Sequence, residues 1–192
     1  MTPRAALIGY GSHGQDIRDL WEHVGRGRLE IFDDDPSVSE LPPIPWDREY
    51  GFYIGENYHR REIAERVGGP GAPPLHEPWM WNPRDCVFAP GVVIAPGVTI
   101  VHSVTLGIHT HINTGTSLVR VWCGDFVTLA PGVVCSGDVE IQDDAFVGAG
   151  AVISDRVTIG KRAVIGAGAV VPPATVVPDD EVWVGVPARA VA

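Results

Sequence analysis

From Phe88 to the C-terminus an aliphatic or similar side chain returns at every sixth position. The rungs are Phe88, Ile94, Ile100, Leu106, Ile112 and Leu118, then Cys123, Leu129, Cys135, Ile141, Val147, Ile153, Ile159, Ile165, Val171, Val177 and Trp183. Only the step from Leu118 to Cys123 is five residues. An α-helix needs an apolar period near 3.6 and an amphipathic strand needs alternation over at least about five residues, so neither fits. Runs of two or three Val, Ile or Thr, cut by Gly, Pro or Asp as in "IAPGVT" and "VGAGAV", read as very short strands joined by corners. A fixed short repeat of this kind marks a solenoid, whose units bury their apolar side chains only by stacking on one another. Three hexads predict one triangular turn, with rungs eighteen residues apart stacked at about 4.8 Å.

Residues 4 to about 70 have a different rhythm. "AALIGYGSHG" predicts a buried strand running into a tight glycine turn, followed by a helix from Gln15 to about Arg26. Gly9, Gly11 and Gly14 have the GxGxxG spacing that brings backbone amides and a helix N-terminus against a phosphate. A second strand, "LEIF", ends in Asp33, Asp34 and Asp35, where a Rossmann-type unit places carboxylates on a ribose. A third, "YGFYIG", leads through Glu56 and Asn57 to a helix starting near Arg60. This order predicts a small parallel α/β unit that binds a mononucleotide or sugar nucleotide. The bland alternative is that the glycines only permit a turn and the aspartates form a solvated loop. A complete nicotinamide-binding domain takes about twice this length, which argues against redox chemistry.

The formal net charge of −10 and pI near 5.0 argue against nucleic acid or an anionic membrane as partner. No run approaches the roughly 18 apolar residues of a membrane span, and no charged segment with an apolar stretch follows Met1, so a cytoplasmic location is expected. Of the three cysteines, Cys123 and Cys135 occupy rungs and read as small core residues.

The sequence of "GYGSHG", "FDDDP", "YIGENYHRR" and a hexapeptide ladder, in this order, resembles the bacterial sugar acetyltransferases of the sialic acid and bacillosamine type. The resemblance implies an α/β, Rossmann-like nucleotide- and sugar-binding domain over 1–75, followed by a left-handed parallel β-helix over 76–192. It further implies a homotrimer that moves an acetyl group from acetyl-CoA, or another acyl group from its acyl-CoA, to an amine or hydroxyl of a nucleotide-linked sugar, with no metal. On the acceptor side it implicates Gly9, Gly11, Ser12, His13 and Gly14 of the turn, with Asp33, Asp34 and Asn57. "VGAGAV", "IGAGAV" and "VGVPARAV" resemble the cofactor cradle, through Gly148, Ala149, Gly166, Ala167, Pro187 and Arg189.

In that family a His followed by an acid, before the GDF segment, supplies the general base, and a second His after it contacts the thioester. Here the segment "INTGTSLVRVWCGDFVTLAPG" places Arg120, Val121 and Thr128 at those three positions. Arginine cannot act as a base near neutral pH. Two histidines one coil earlier repeat the pattern: His102 lies eighteen residues before Arg120, and His111 stands where Thr128 stands one coil later. His102 is therefore the candidate base and His111 the thioester-side donor, with Ser103 in place of the acid. Arg120 is the candidate bidentate partner of an acceptor carboxylate or phosphate.

Three alternatives accompany this reading. Both histidines can be ordinary interface or surface side chains. His102, His109 and His111 can be ligands of an interfacial zinc. The chain can also have lost the base and kept only ligand binding, or run a different reaction on the same fold.

Overall fold

The computed structural model describes residues 5–8, 12–24, 29–32, 51–54, 60–67, 71–76 and 85–191. Its N-terminal part has strand β1 (Ala5–Ile8), helix α1 (Ser12–His23), strand β2 (Leu29–Phe32), strand β3 (Gly51–Ile54) and helix α2 (Arg60–Val67). The strands form one parallel sheet in the order β2-β1-β3, as the alternation of elements predicts. Helix α1 starts at Ser12, three residues earlier than its apolar pattern suggests. Ser12, His13 and Gly14 therefore make its first turn, and the helix stops at His23, ahead of Gly25.

Ile17, Leu20 and Trp21 of α1 pack with Leu7 and Tyr53 of the sheet and with Leu75 and Val93, joining the unit to the solenoid through one apolar cluster. Trp21 meets Tyr53 edge-on at 5.8 Å, and the Tyr53 hydroxyl donates to the Pro73 carbonyl at 2.5 Å. Leu75 adds to the first coil by donating its amide to Val92 O and accepting at its own carbonyl from Ile94 N.

From Val87 onward the chain forms three parallel sheets, of 6, 7 and 5 strands, in which every third strand is a neighbour. The seven-stranded sheet closes with one antiparallel strand, Arg189–Ala190. This is a parallel β-helix of triangular section. Each short strand sends one rung residue inward, and Ile94, Ile112, Leu118, Leu129, Ile141, Val147, Ile153, Ile159 and Ile165 are all at most 1% exposed. Burying such a side chain contributes about 1.5–3 kcal/mol, so the stacked interior is the main source of stability. Cys123 and Cys135 belong to it as rung residues; burial holds the Cys123 thiol well above its usual range and pushes that of Cys135 up to about 12.

Each corner of the triangle turns through one residue with left-handed backbone. One column is all glycine: Gly97, Gly115, Gly132, Gly150 and Gly168. The second holds Gly91, His109, Phe126, Asp144, Arg162 and Asp180, and the third Ser103, Arg120, Asp138, Arg156 and Ala174. Left-handed angles cost a non-glycine residue about 1–2 kcal/mol, which stacking of the coils offsets.

The five-residue step shortens one coil to seventeen residues. Above and below it partners are eighteen apart, as in Phe88↔Leu106 and Cys123↔Ile141, but across it Leu106 pairs with Cys123, Ile112 with Leu129 and Leu118 with Cys135. Val119 alone spans the corner that Val101 and His102 span one coil below and Ser136 and Gly137 span one coil above.

Candidate active site

The short coil corrects the placement of Arg120. Val121 pairs with Val104, and Arg120 and Ser103 share left-handed angles (φ 47 and 53), so Arg120 stacks on Ser103 and not on His102. Counting eighteen residues misses this because the coil concerned has seventeen. Val121 is 1% exposed and belongs to the interior, so it does not face a substrate.

Arg120 does not present an open fork to solvent. Its Nε donates to Asp138 Oδ1 at 2.7 Å and its Nη2 to Asp138 Oδ2 at 2.9 Å. The side chain reaches up to the next coil over Gly137, where an added Cβ would lie 2.8 Å from Nη2. The Arg120 guanidinium in turn holds the Asp138 carboxyl below the usual carboxylate range. These residues edge an open groove of about 580 Å³ lined by Ser103, Thr105, Trp122 and Glu140.

His102 stands at the same corner, one coil down. Its Nδ1 lies 3.3 Å from Ser103 Oγ, and Ser103 Oγ donates to Asp85 Oδ2 at 2.6 Å. Sequence reasoning missed Asp85, although it is eighteen residues before Ser103, the spacing of an ordinary coil. The Ser103 hydroxyl, helped by backbone amides and the nearby imidazole, holds the Asp85 carboxyl below its usual range.

His111 occupies a different environment. It pairs with Val93 and Thr128, as the pattern predicts, and is fully buried on the outer face of the seven-stranded sheet. There it lines a cavity of about 570 Å³ between that sheet and α1, together with Asp16, Asp19, His23, Asn113 and Thr114. His109 lies under α2 at 3% exposure, stacked on Phe126 at 5.6 Å. The second corner thus holds His109, the third holds His102, and the strand Val104–Leu106 runs between them, which separates His102 from the other two histidines of the zinc alternative within one chain.

Gly148 and Gly166 serve packing. An added Cβ at Gly148 would lie 2.5 Å from Ala167 N, and one at Gly166 2.8 Å from Val184 Cγ1. Their neighbours form the open surface: Ala149 and Ala167 are exposed, and a Cβ at Gly150 or Gly168 would meet nothing within 4 Å. Pro187, after a cis peptide bond, and Arg189 are exposed at the end of the helix. Gly14 is buried in the first turn of α1. Gly9, Gly11, Asp33, Asp34 and Asn57, and the side chains of Ser12 and His13, lie outside the described residues.

A parallel β-helix of stacked hexads with a smooth glycine corner is the architecture of the hexapeptide-repeat proteins. Residues 138–173 match the family described as Bacterial transferase hexapeptide (six repeats). The chain is 43% identical over 172 residues to the GDP-perosamine N-acetyltransferase of Escherichia coli O157:H7, spanning 77% of this chain and 76% of that one. It belongs to the family of hexapeptide-repeat sugar acetyltransferases. Two solved structures share its fold. The acetyltransferase domain of PglB from Neisseria gonorrhoeae, in complex with acetyl coenzyme A, matches with a TM-score of 0.86 at 24% identity over the whole of both chains. A mutant perosamine N-acetyltransferase from Caulobacter crescentus, in complex with CoA and GDP-perosamine, matches with a TM-score of 0.87 at 24% identity over 100% of this chain and 98% of that one.

Proposed function

We propose that the protein transfers an acetyl group from acetyl-CoA to the amine of a nucleotide-linked amino sugar. The observation that carries this reading is the 43% identity, over about three quarters of both chains, to an enzyme named for that reaction. The same relationship favours catalysis over a binding-only role.

In the proposed reaction His102 takes a proton from the acceptor amine as its nitrogen attacks the thioester carbon. The carbonyl oxygen becomes an oxyanion, which a backbone amide at a coil corner stabilises, and collapse breaks the carbon–sulfur bond. The proton held by His102 passes to the departing thiolate. The strip formed by Ala149, Gly150, Ala167 and Gly168, ending near Pro187 and Arg189, suits a long thin cofactor because it presents no large side chain. The nucleotide falls to the turn from Gly9 to Gly14, with Asp33, Asp34 and Asn57, in a unit that ends near residue 75.

His102 and the glycine strip stand at different corners, with the five-stranded sheet between them. Six extended residues span up to about 20 Å, so base and cofactor meet most directly across two copies of the chain, in keeping with a homotrimer and left-handed coils. Three free thiols suit a reducing, cytoplasmic setting.

The test is thiol release from acetyl-CoA in the presence of GDP-perosamine. Turnover that requires both compounds and falls at least about tenfold in His102→Ala supports the proposal. Wild-type protein that binds both yet stays at the uncatalysed rate would refute it, and full activity in His102→Ala would remove that residue from the mechanism.

A further inference from the structure

Ser103 touches two groups but has one hydroxyl proton. That proton goes to Asp85, since Ser103 Oγ donates to Asp85 Oδ2 at 2.6 Å. Toward His102 Nδ1, 3.3 Å away, the same oxygen can therefore only accept. Nδ1 must carry the ring proton, which leaves the lone pair on Nε2. We propose that Asp85 and Ser103 are positioning residues that hold His102 in its Nδ1–H tautomer, so that Nε2 is the atom that deprotonates the acceptor. The proposal rests on the reading of His102 as general base given above.

The backbone explains why the carboxylate comes from a lower coil. Ser103 is the left-handed corner residue (φ 53), and Asp85 lies one ordinary coil of eighteen residues before it. A serine at the corner is neutral and has no charge of its own with which to orient the imidazole, but its hydroxyl links the ring to the carboxylate beneath it. Asp85 stays ionised through neutral pH, because the Ser103 hydroxyl holds its carboxyl below the usual range. From two coils above, the Asp138 carboxylate also feels His102, yet both of its oxygens are occupied by Arg120. Among the described residues, Asp85 is thus the carboxylate linked by hydrogen bonds to this imidazole.

The proton inventory closes. Nε2 receives the amine proton as the carbon–nitrogen bond forms, and Nδ1–H remains on Ser103 throughout. Nε2 then returns its proton to the CoA thiolate as the carbon–sulfur bond breaks, leaving amide, free thiol and the original tautomer.

A histidine side chain free in water prefers the opposite tautomer, with the proton on Nε2, so the inference has a direct spectroscopic reading. Two-bond proton–nitrogen correlation spectra of the 15N-labelled full chain, assigned with His102→Ala, should show His102 protonated at Nδ1. Asp85→Asn and Ser103→Ala should shift it toward Nε2–H and lower kcat about tenfold, with KM for acetyl-CoA unchanged. Ser103→Asp in the Asp85→Asn background puts a carboxylate directly beside the ring and should restore most of the rate. An Nε2–H tautomer in the wild-type chain, or an Asp85→Asn variant with unaltered tautomer and kcat, overturns the proposal. If the tautomer is as expected but His102→Ala retains full activity, the catalytic role falls while the hydrogen-bond chain stands, which separates the two readings.

Discussion

Arg120 and Asp138 are locked in a two-pronged ion pair between successive coils, at 2.7 and 2.9 Å, on the rim of the groove beside His102. Both side chains are close to half exposed, so the pair adds little to stability, on the order of 0–1 kcal/mol. Its effect is to fill the guanidinium that lines the groove beside His102 and that the sequence offers to an acceptor anion. Arg120→Ala should leave the melting temperature within a few degrees and change KM for the sugar nucleotide less than about threefold. A rise of tenfold or more in that KM would show that the acceptor displaces Asp138 and takes the fork for itself.

The contact between α2 and the second corner is of another kind. Arg60 is 3% exposed, and its Nη2 donates to the Phe126 and Val127 carbonyls at 2.6 and 3.1 Å. Its neighbour Arg61 is more exposed; it grips Asp144 at 2.9 and 3.0 Å and lies 4.5 Å over the Phe126 ring. Charged hydrogen bonds in a buried setting are worth about 1.5–3 kcal/mol each at most, against about 1 kcal/mol for an exposed pair with a cation–π contact. In denaturant unfolding, Arg60→Ala should therefore cost about 2 kcal/mol and Arg61→Ala about 1. Equal losses would mean that burial does not rank these two contacts.

Burial first, and the Arg60 guanidinium second, push the His109 imidazole down to about 4. Between pH 6.5 and about 4 the unfolded chain binds a proton at this site that the folded chain refuses. Stability is therefore complete above pH 6.5 and falls as pH drops through that window, by up to about 3 kcal/mol. Stability measured at intervals from pH 7 to 4 should show this slope, and His109→Gln should flatten it. An unchanged slope in the variant would assign the loss to other groups.

The glycine corner offers a cleaner test of cofactor placement. Ala149 and Ala167 are exposed and border open space, so Trp at either site should leave stability within about 0.5 kcal/mol while weakening acetyl-CoA binding at least about tenfold. Gly148→Val should behave in the opposite manner, because its Cβ would lie 2.5 Å from the backbone of the next coil and would unfold the stack before binding could be assayed. Calorimetry on Ala149→Trp that shows undiminished affinity would move the cofactor off this strip.

The rungs were legible because hexad geometry turns the same position of every flat face inward, and Ile, Leu, Val and Cys fill that position on most coils. Parallel α/β order at the N-terminus was legible for a similar reason, since apolar runs alternate with helical patterns there. What linear counting could not supply was the level of each residue above the slip. Eighteen back from Arg120 is His102, but seventeen back, through the shortened coil, is Ser103. Nor does the sequence show that Gly148 is held by packing while Gly150 is open, because both read as small residues at a turn. Asp85 escaped notice since it precedes the first rung, Phe88, although its spacing to Ser103 obeys the same rule as the ladder.

The seventeen-residue coil leaves every strand on either side in register, with Leu118 on Cys135 and Val121 on Val139. The whole difference is taken up by a single bend at Val119. A residue inserted between Val119 and Arg120 would lengthen that bend alone, since the hydrogen-bonded flats before and after it are already fixed by their neighbours. The slip is thus a splice point at which the solenoid accepts an added side chain, and a histidine grafted there would stand one storey above His102 and turn a single base into a stacked pair.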